Sequence, residues 1–157
     1  MNFQFPPFSR DKFIPNIGRT SKLMSLLVKA LFAQEKLDLT KEQFIILLCI
    51  EEESIVQSEL ALITERNKGS LTRLLQSLEK KSYIKRRVCK NDSRVNHVEI
   101  DQKGKHILEM TKPKMLELFK SLQKGLDPKD LELSLGVMKK LQNNIQELFE
   151  NLEKNKN

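Results

Sequence analysis

The chain has 157 residues, 39% of them hydrophobic, which is enough for the core of one ordinary domain, and its formal net charge is +7. Aromatic residues make up only 6% and tryptophan is absent, so the composition favours a helical protein over a β-sandwich or barrel. Two isolated cysteines, no signal peptide and no segment of transmembrane length argue against a secreted or membrane protein and predict a cytoplasmic one.

An extended N-terminal arm is predicted for residues 1–16. Three prolines among four phenylalanines interrupt any regular helix in the first fifteen residues, and we expect the phenylalanines to pack on a partner subunit or on the core. From Ile17 to about Lys36, apolar residues recur at helical spacing. Residues 17–39 are therefore interpreted as a dimerisation helix.

A second helix is predicted to begin after Thr40. Thr40 and Gln43 have the spacing of a capping box, in which each side chain bonds the backbone N–H of the other residue. The helix should stop at the acidic residues 51–53, because acids oppose the helix dipole at a C-terminus. Residues 55–56 predict no more than a short strand.

A short third helix is predicted from Glu59 to Thr64. Ser58 precedes it and has the side chain of an N-cap. The apolar residues that this helix offers to the core are Leu60, Leu62 and Ile63.

The fourth predicted helix has one apolar and one polar face. Asn67 can cap it, and it extends to about Lys81. The apolar positions recur at helical spacing and comprise Leu71, Leu74, Leu75 and Leu78. The opposite face and the first turn carry donors without an acid, namely Lys68, Gly69, Ser70, Thr72, Arg73, Gln76, Ser77 and Lys80. We interpret this face as a reader of DNA.

A β-hairpin is predicted next. Residues 83–88 and 95–100 are rich in β-branched side chains, and residues 89–94 between them are turn formers. Asp101 can then cap a fifth helix, in which Pro113 should introduce a kink, and Asp127 with Pro128 predicts the start of a sixth.

The sixth helix carries an apolar seam about six turns long. Its members are Leu131, Leu135, Met138, Leu141, Ile145, Leu148 and Leu152. One small domain cannot cover so long a seam, so residues 101–157 are interpreted as C-terminal dimerisation helices. Packing of the seam on the first helix of the same chain is the simpler alternative.

The positive charge is concentrated in one segment. Residues 66–94 contain ten basic and two acidic residues, a local charge of +8, whereas the remainder of the chain sums to −1. A concentrated basic segment is typical of a nucleic-acid contact, whereas a diffuse excess would indicate only solubility.

These elements follow the order of a winged helix-turn-helix at residues 40–100, so the predicted fold is mainly α with a small β-hairpin wing, flanked by dimerisation helices. On such a fold Arg73 and Gln76 can reach base edges in the major groove, and residues at the helix N-terminus can hold phosphates. An arginine at the hairpin tip can enter the minor groove. The predicted hairpin contacts with DNA are Arg86, Arg87, Lys90 and Arg94.

The segment Ser58–Arg86 resembles the helix-turn-helix of the MarR family, and Asp92-Ser93-Arg94 followed by Gly104 resembles its wing signature. The resemblance covers about Ile17 to Leu152. It implies a homodimeric repressor of transcription on a pseudo-palindromic operator, with Arg94 in the minor groove and Asp92 supporting it by a salt bridge. It also implies a small apolar or phenolic effector that enters a cleft between the dimer helices and the DNA-binding lobe.

Two positions depart from the family pattern. The family has glycine after the recognition helix, where Ser82 stands here, so Ser82 must adopt a left-handed conformation or the helix must end differently. Ile100-Asp101 replaces the family's Leu-Thr pair, which preserves a core residue and a helix cap.

Other functions find less support. A winged helix can bind an acidic protein partner instead of DNA, and Cys89, beside several cations, can act as a redox sensor. Cys49 is expected in the core, and His97 and His106 lack ligand-spaced partners, so we predict no metal. No nucleophile comes with a base and no glycine-rich phosphate loop occurs, so we predict no catalytic residues, no cofactor and no enzymatic activity.

Overall fold

The computed structural model describes residues 12–88 and 96–155, and it confirms the predicted mainly helical winged helix-turn-helix. The elements in chain order are α1 (Phe13–Gln34), α2 (Lys41–Cys49), β1 (Ile55–Val56), α3 (Gln57–Ile63), α4 (Lys68–Lys80), β2 (Ile84–Val88), β3 (Asn96–Ile100), α5 (Gln102–Leu122) and α6 (Pro128–Lys154). The chain forms two compact units, one ending at Met115 and one beginning at Leu116. In the described ranges, no helix has the length and apolar character needed to cross a membrane.

The three strands form one antiparallel sheet in the order β1-β3-β2. Ile84 lies opposite Ile100 and Arg86 lies opposite Val98, which sets the register of the wing. The two-residue strand β1 pairs Ile55 with Val98 on the other edge of β3. The predicted short strand therefore joins the wing to the chain segment just before α3.

The core of the first unit is aliphatic. Phe32 of α1 meets Phe44 of α2 edge to face, with ring centroids 6.1 Å apart. The residues with almost no exposed surface are Ile46, Leu47, Ile50, Leu60, Leu71, Leu75, Leu78, Ile84, Val98 and Leu108. Three of the four leucines predicted for the apolar stripe of α4 belong to this set, and Leu74 is half-buried.

Three predicted helix caps are present. Thr40 accepts a hydrogen bond from the Gln43 backbone N–H at 3.2 Å, and the Gln43 side chain accepts one from the Thr40 N–H at 3.1 Å, which confirms the capping box. Asn67 accepts from the Ser70 N–H at 2.9 Å. Asp127 accepts from the Lys129 N–H at 2.8 Å. Each bond satisfies an N–H that the first helical turn leaves without an acceptor.

The start of α1 differs from the prediction. The helix begins at Phe13 rather than Ile17, so residues 13–16, which were expected in the extended arm, are helical. Pro15 is the third residue of α1, where a missing N–H removes no intrahelical hydrogen bond. The prediction of an extended arm was therefore wrong for residues 13–16, and the part of the arm at residues 1–11 lies outside the described ranges.

The prediction for α3 was wrong in two respects. The helix begins at Gln57, its N-cap is Val56, and no side chain caps it, so Ser58 is not the cap. Leu62 is 79% exposed and Ile63 is 54% exposed, which leaves Leu60 as the buried residue of this helix. A helix of seven residues turns only one narrow face to the core.

Three helices end on a residue other than glycine in the left-handed conformation. These residues are Lys36 after α1 (φ 54°), Glu65 after α3 (φ 51°) and Ser82 after α4 (φ 60°). At the end of α4, the Ser82 N–H donates to Glu79 O at 2.9 Å and the Tyr83 N–H donates to Leu78 O at 3.0 Å. These are the two bonds of a Schellman motif, and they confirm the left-handed Ser82.

Gly104 lies where the start of α5 crosses the chain after α4. A Cβ atom at this position would lie 2.0 Å from the carbonyl oxygen of Tyr83. The same oxygen accepts a hydrogen bond from the Asp101 N–H at 2.9 Å. Gly104 therefore permits a close backbone approach. Further along α5, Pro113 lies inside the helix, which continues to Leu122, and the kink stays a prediction.

The second unit contains α6 and the end of α5. None of the described residues of α6 is buried. Along the predicted seam, Leu131, Met138 and Leu141 are half-buried. The exposed members are Leu135, Ile145, Leu148 and Leu152. The seam is present with the predicted spacing.

Candidate nucleic-acid interface

The helix-turn-helix consists of α3, the turn at residues 64–67, and α4. The Thr64 hydroxyl donates to Leu60 O at 2.6 Å and closes the end of α3, while Asn67 caps α4. Across the two helices, the Gln57 side-chain amide donates to the Thr72 hydroxyl at 3.4 Å. The turn and this contact hold α4 against α3 while the polar face of α4 points away from the core.

Most of the predicted DNA-reading residues on α4 are exposed. The exposed members are Lys68, Gly69, Arg73, Gln76 and Lys80, and the half-buried members are Ser70, Thr72 and Ser77. The Arg73 Nε donates to Gly69 O at 3.4 Å, so this side chain lies along the helix toward its N-terminus. Gly69, Arg73, Gln76 and Lys80 recur at spacings of three and four residues, and together with Lys68 in the first turn they form one exposed stripe.

The stripe is positively charged and is not neutralised by the described part of the chain. Among residues 12–88 and 96–155, no acid forms a salt bridge with Lys68, Arg73 or Lys80. The first turn of α4 contains no acid either. Since a helix N-terminus itself carries a partial positive charge, the whole stripe attracts anions.

Two of the three hydroxyl groups of α4 are engaged within the protein. The Thr72 hydroxyl donates to Lys68 O at 2.7 Å. The Ser77 hydroxyl accepts a hydrogen bond from the Gln43 side-chain amide at 3.0 Å. Thr72 and Ser77, which we predicted as DNA contacts, are thus occupied by intramolecular hydrogen bonds. Among the described residues, no such bond occupies the side chains of Lys68, Ser70, Gln76 and Lys80.

The cations on β2 are ion-paired. Lys85 contacts Asp101 at 2.9 Å, and Arg87 contacts Glu99 at 2.7 Å. Arg86 pairs with Glu79 of α4 through both Nε and a terminal guanidinium nitrogen. The side chain of Arg87 is 71% exposed, whereas that of Arg86 is only 27% exposed. Arg86 therefore links the wing to α4, and Arg87 stays at the surface.

Asp101 joins the base of the wing to α5. Its carboxylate accepts hydrogen bonds from the Lys85 ammonium and from the Gln102 backbone N–H, both of which favour the ionised form and lower the pKa of Asp101. The predicted capping role is thus supported by the bond to the first residue of α5. The ionised carboxylate of Asp101 therefore links β2 to the start of α5.

Several predicted residues lie outside the described ranges. These are Cys89, Lys90, Asp92 and Arg94, which follow β2 and precede β3 in the sequence. Their proposed roles at the wing tip stay predictions.

Sequence reasoning missed the polar residues that hold α4. Gln43 was interpreted only as part of a capping box, and Gln57, Glu79 and Glu99 were not singled out. Their partners come from other elements, and a single sequence carries no signal for such long-range pairs. Elsewhere, Cys49 is half-buried, and burial raises the pKa of its thiol. No group of three or more metal-ligating side chains occurs among the described residues.

The chain matches a family model described as transcriptional regulator SarA/Rot over residues 30–111. It is 32% identical over 129 residues to the HTH-type transcriptional regulator SarZ of Staphylococcus haemolyticus, an alignment that covers 78% of this chain and 86% of that protein. The family match includes α2, the helix-turn-helix and the wing strands.

Solved structures of similar fold are transcription regulators. The regulator SlyA superposes with a TM-score of 0.76 at 18% identity and covers 88% of this chain and 97% of its own. A complex of Staphylococcus aureus MepR with DNA gives a TM-score of 0.72 at 22% identity, covering 81% and 96%. A cysteine-to-serine mutant of MarR from E. coli, complexed with operator DNA, gives 0.69 at 26% identity, covering 82% and 94%.

Proposed function

Since the chain belongs to the SarA/Rot family of MarR-like winged-helix transcriptional regulators, it is a DNA-binding regulator and not an enzyme, and we propose that it works as a homodimeric repressor on a pseudo-palindromic operator. Each subunit places one α4 helix in the major groove. The two grooves lie about one helical turn apart, a spacing typical of helix-turn-helix dimers, and the twofold symmetry of the dimer matches the palindrome. Bound in this way at a promoter in the cytoplasm, the dimer occludes RNA polymerase.

The observation that supports DNA contact is the exposed stripe of α4, whose cations have no acidic partner in the described ranges. Arg73 is the candidate for a guanine edge and Gln76 for an adenine edge, because their side chains match those donor and acceptor patterns. Lys68 and Lys80 are candidates for phosphates on either side of the groove. MepR from Staphylococcus aureus and the MarR mutant from E. coli, which share this fold, were solved in complex with DNA.

The wing adds a second contact in this proposal. Arg94 enters the minor groove, Asp92 orients it, and Lys90 holds a phosphate. Arg87 is exposed enough to exchange Glu99 for a phosphate, whereas we assign Arg86 to holding the wing against α4 because of its pair with Glu79. β2 with its cations follows α4 directly in the chain.

The support for a dimer is the uncovered apolar seam of α6. A 27-residue helix is about 40 Å long, and its seam residues are half-buried or exposed. Further apolar residues are exposed on α1 and at the end of α5, namely Leu23, Leu27, Leu116 and Phe119. Exposed apolar surface of this extent is typical of a subunit interface.

A cleft of about 450 Å³ between α1 and the start of α2 is a candidate effector site. Leu26, Phe32 and Leu39 supply apolar walls, and Lys29 and Lys41 stand at its edge. This lining suits a small aromatic molecule with a phenol or carboxylate group. The test is release of bound duplex on titration with phenol or 4-hydroxybenzoate. Retention of the duplex at saturating concentrations of both would count against this site.

The function is tested by selecting duplexes from a random pool and measuring their affinity by fluorescence anisotropy over a salt series. We expect a palindrome to be enriched, with affinity falling steeply as salt rises, because cations of the protein displace counterions from phosphates. Arg73→Ala should weaken binding about tenfold or more and reduce discrimination at one base pair.

Lys139→Ala is the matched control, since it removes one positive charge from an exposed position of α6. It should leave both the affinity and the salt slope nearly unchanged. If the wild-type protein enriches no duplex and shows no salt-sensitive binding, the DNA-binding proposal fails and the basic stripe is better explained as a contact for an acidic protein.

A further inference from the structure

One polar side chain lies almost entirely inside the first unit and bridges two helices of the DNA-binding region. Gln43 of α2 is only 3% exposed, and every polar atom of its amide has a partner. The oxygen Oε1 accepts from the Thr40 N–H at 3.1 Å and from the Lys81 ammonium at 3.1 Å. The nitrogen Nε2 donates to the Ser77 hydroxyl at 3.0 Å.

The orientation of this amide is determined by its partners. The Thr40 N–H and the Lys81 ammonium are both donors, so the amide oxygen must face them and the amide nitrogen must face Ser77. Lys81 is held in turn by Asp38, whose carboxylate lies 2.7 Å away and whose carbonyl lies 2.9 Å away. The Gln43 amide is therefore locked between the start of α2 and the last turn of α4.

The contacts fall on one flank of α4. With 3.6 residues per turn, Ser77 and Lys81 project about 80–120° from the centre of the DNA-reading stripe, between it and the leucine core. Thr72 and Glu79 project from the opposite flank, where Gln57 and Arg86 engage them. Polar contacts on both flanks restrict rotation of α4 about its axis, which packing of leucines alone restricts weakly because apolar contacts are not directional.

We propose that Gln43 is a positioning residue for DNA recognition: through Ser77 and Lys81 it sets the rotation of α4, and so the angle at which Arg73 and Gln76 meet base edges. This inference rests on the proposed function of α4 as the DNA-reading helix. Gln43 itself stays buried and touches no DNA. A rotated helix keeps its phosphate contacts, which tolerate displacement, and loses base contacts, which need a defined hydrogen-bond geometry.

The experiment compares Gln43→Met with Thr40→Ala. Methionine has a similar length and no amide, so Gln43→Met removes the contacts to Ser77 and Lys81 together with half of the capping box. Thr40→Ala removes the other half of the box and leaves the Gln43 amide contacts in place. Both variants lose helix-cap energy, so both should unfold at a lower temperature than the wild type. All affinities are measured well below those unfolding temperatures.

The decisive quantity is the ratio of affinities for the selected duplex and for a scrambled duplex. We expect this ratio to fall at least about fivefold in Gln43→Met, because a well-aligned base contact contributes that much discrimination. It should stay near the wild-type value in Thr40→Ala. Gln43→Glu keeps the cap and the Lys81 contact, and the Ser77 hydroxyl can donate to the carboxylate, so this variant should retain most of the ratio.

A measurement without DNA separates this inference from the proposed function. Amide hydrogen exchange in residues 74–81 should be faster in Gln43→Met than in Thr40→Ala, because α4 has lost an anchor only in the former. If the wild-type protein selects no duplex, the proposed function fails and the exchange comparison alone decides whether Gln43 holds α4. Equal ratios and equal exchange in the two variants would overturn the inference and leave Gln43 as a cap residue only.

Discussion

Ser82 holds a left-handed backbone conformation, with φ of 60°, at an exposed position after α4. A Cβ atom in this region clashes with the following carbonyl, whereas glycine adopts it freely. We therefore expect Ser82→Gly to raise the free energy of unfolding by about 1 kcal/mol. Unfolding by denaturant measures this change in the free energy of unfolding. Ser134→Gly, inside α6, is the control and should destabilise instead, since a glycine weakens a helix interior. Destabilisation by Ser82→Gly would contradict the left-handed geometry.

Gly104 gives a prediction of the opposite sign. Its substitution by alanine places a Cβ atom 2.0 Å from the Tyr83 carbonyl oxygen, a backbone atom that cannot move aside without breaking its hydrogen bond to Asp101. Gly104→Ala should lower the free energy of unfolding by about 3 kcal/mol. The paired control is Gly136→Ala, where nothing lies within 4 Å and alanine should stabilise α6 by about 1 kcal/mol. If both substitutions change the free energy of unfolding in the same direction, this account of Gly104 is refuted.

The structural role of an individual residue could be predicted from sequence when its partners lie close to it in the chain. The caps Thr40, Asn67 and Asp127 bond N–H groups two or three residues away, so a short motif contains the whole interaction. Gln43 is the contrasting case, because Ser77 lies 34 positions further along the chain. Nothing near Gln43 in the sequence specifies that partner, and only the packing of α2 against α4 brings the two together.

At the scale of elements, α4 and β2 divide the cations of the basic segment between two tasks. Removing Arg86 should lower stability by about 1 kcal/mol, because it breaks a half-buried pair with Glu79, and should leave the salt slope of DNA binding nearly unchanged. Removing Lys68, a proposed phosphate contact, should leave stability nearly unchanged and reduce the slope by about 1. Thermal unfolding and salt titrations of Arg86→Ala and Lys68→Ala check this division. A reduced slope in Arg86→Ala would instead place Arg86 on a phosphate.

The elements themselves were predicted best where a periodic pattern is long. The leucine stripe of α4 and the seam of α6 span several turns, so one misplaced residue does not hide the period. In α3, a helix of seven residues, two apolar side chains are exposed and the start lies before the serine that we took for a cap. One or two helical turns contain too few positions to distinguish a core-facing pattern of apolar residues from a chance arrangement.

For the molecule as a whole, the concentrated charge and the order of elements were sufficient to predict a DNA-binding winged helix. Neither property changes when the predicted end of a single helix or strand is wrong by a few residues. The division of the basic residues into ion-paired and unpaired sets was not predictable. It depends on Glu99 and Asp101, which reach Arg87 and Lys85 across the sheet and at the start of α5. Cross-strand partners follow from the register, and the register follows from a hairpin turn whose geometry a single sequence does not specify.

The last prediction concerns the oligomeric state. The apolar seam lies on one face of α6, and a dimer that covers this face leaves the opposite face of the helix free. Ile145 lies within the seam, whereas Leu133 projects about 140–160° away from the neighbouring seam residues Leu131, Leu135 and Met138, and both Ile145 and Leu133 are exposed. Ile145→Glu should shift the protein from dimer to monomer in sedimentation velocity at micromolar concentration, since a carboxylate in an apolar interface lacks a partner. Leu133→Glu carries the same chemical change and should leave the dimer intact. The monomer should also lose most of its affinity for a palindrome while keeping weak binding to a half-site, because one α4 helix still presents Arg73 and Gln76. A dimer that persists in Ile145→Glu but dissociates in Leu133→Glu would move the interface to the other face of α6.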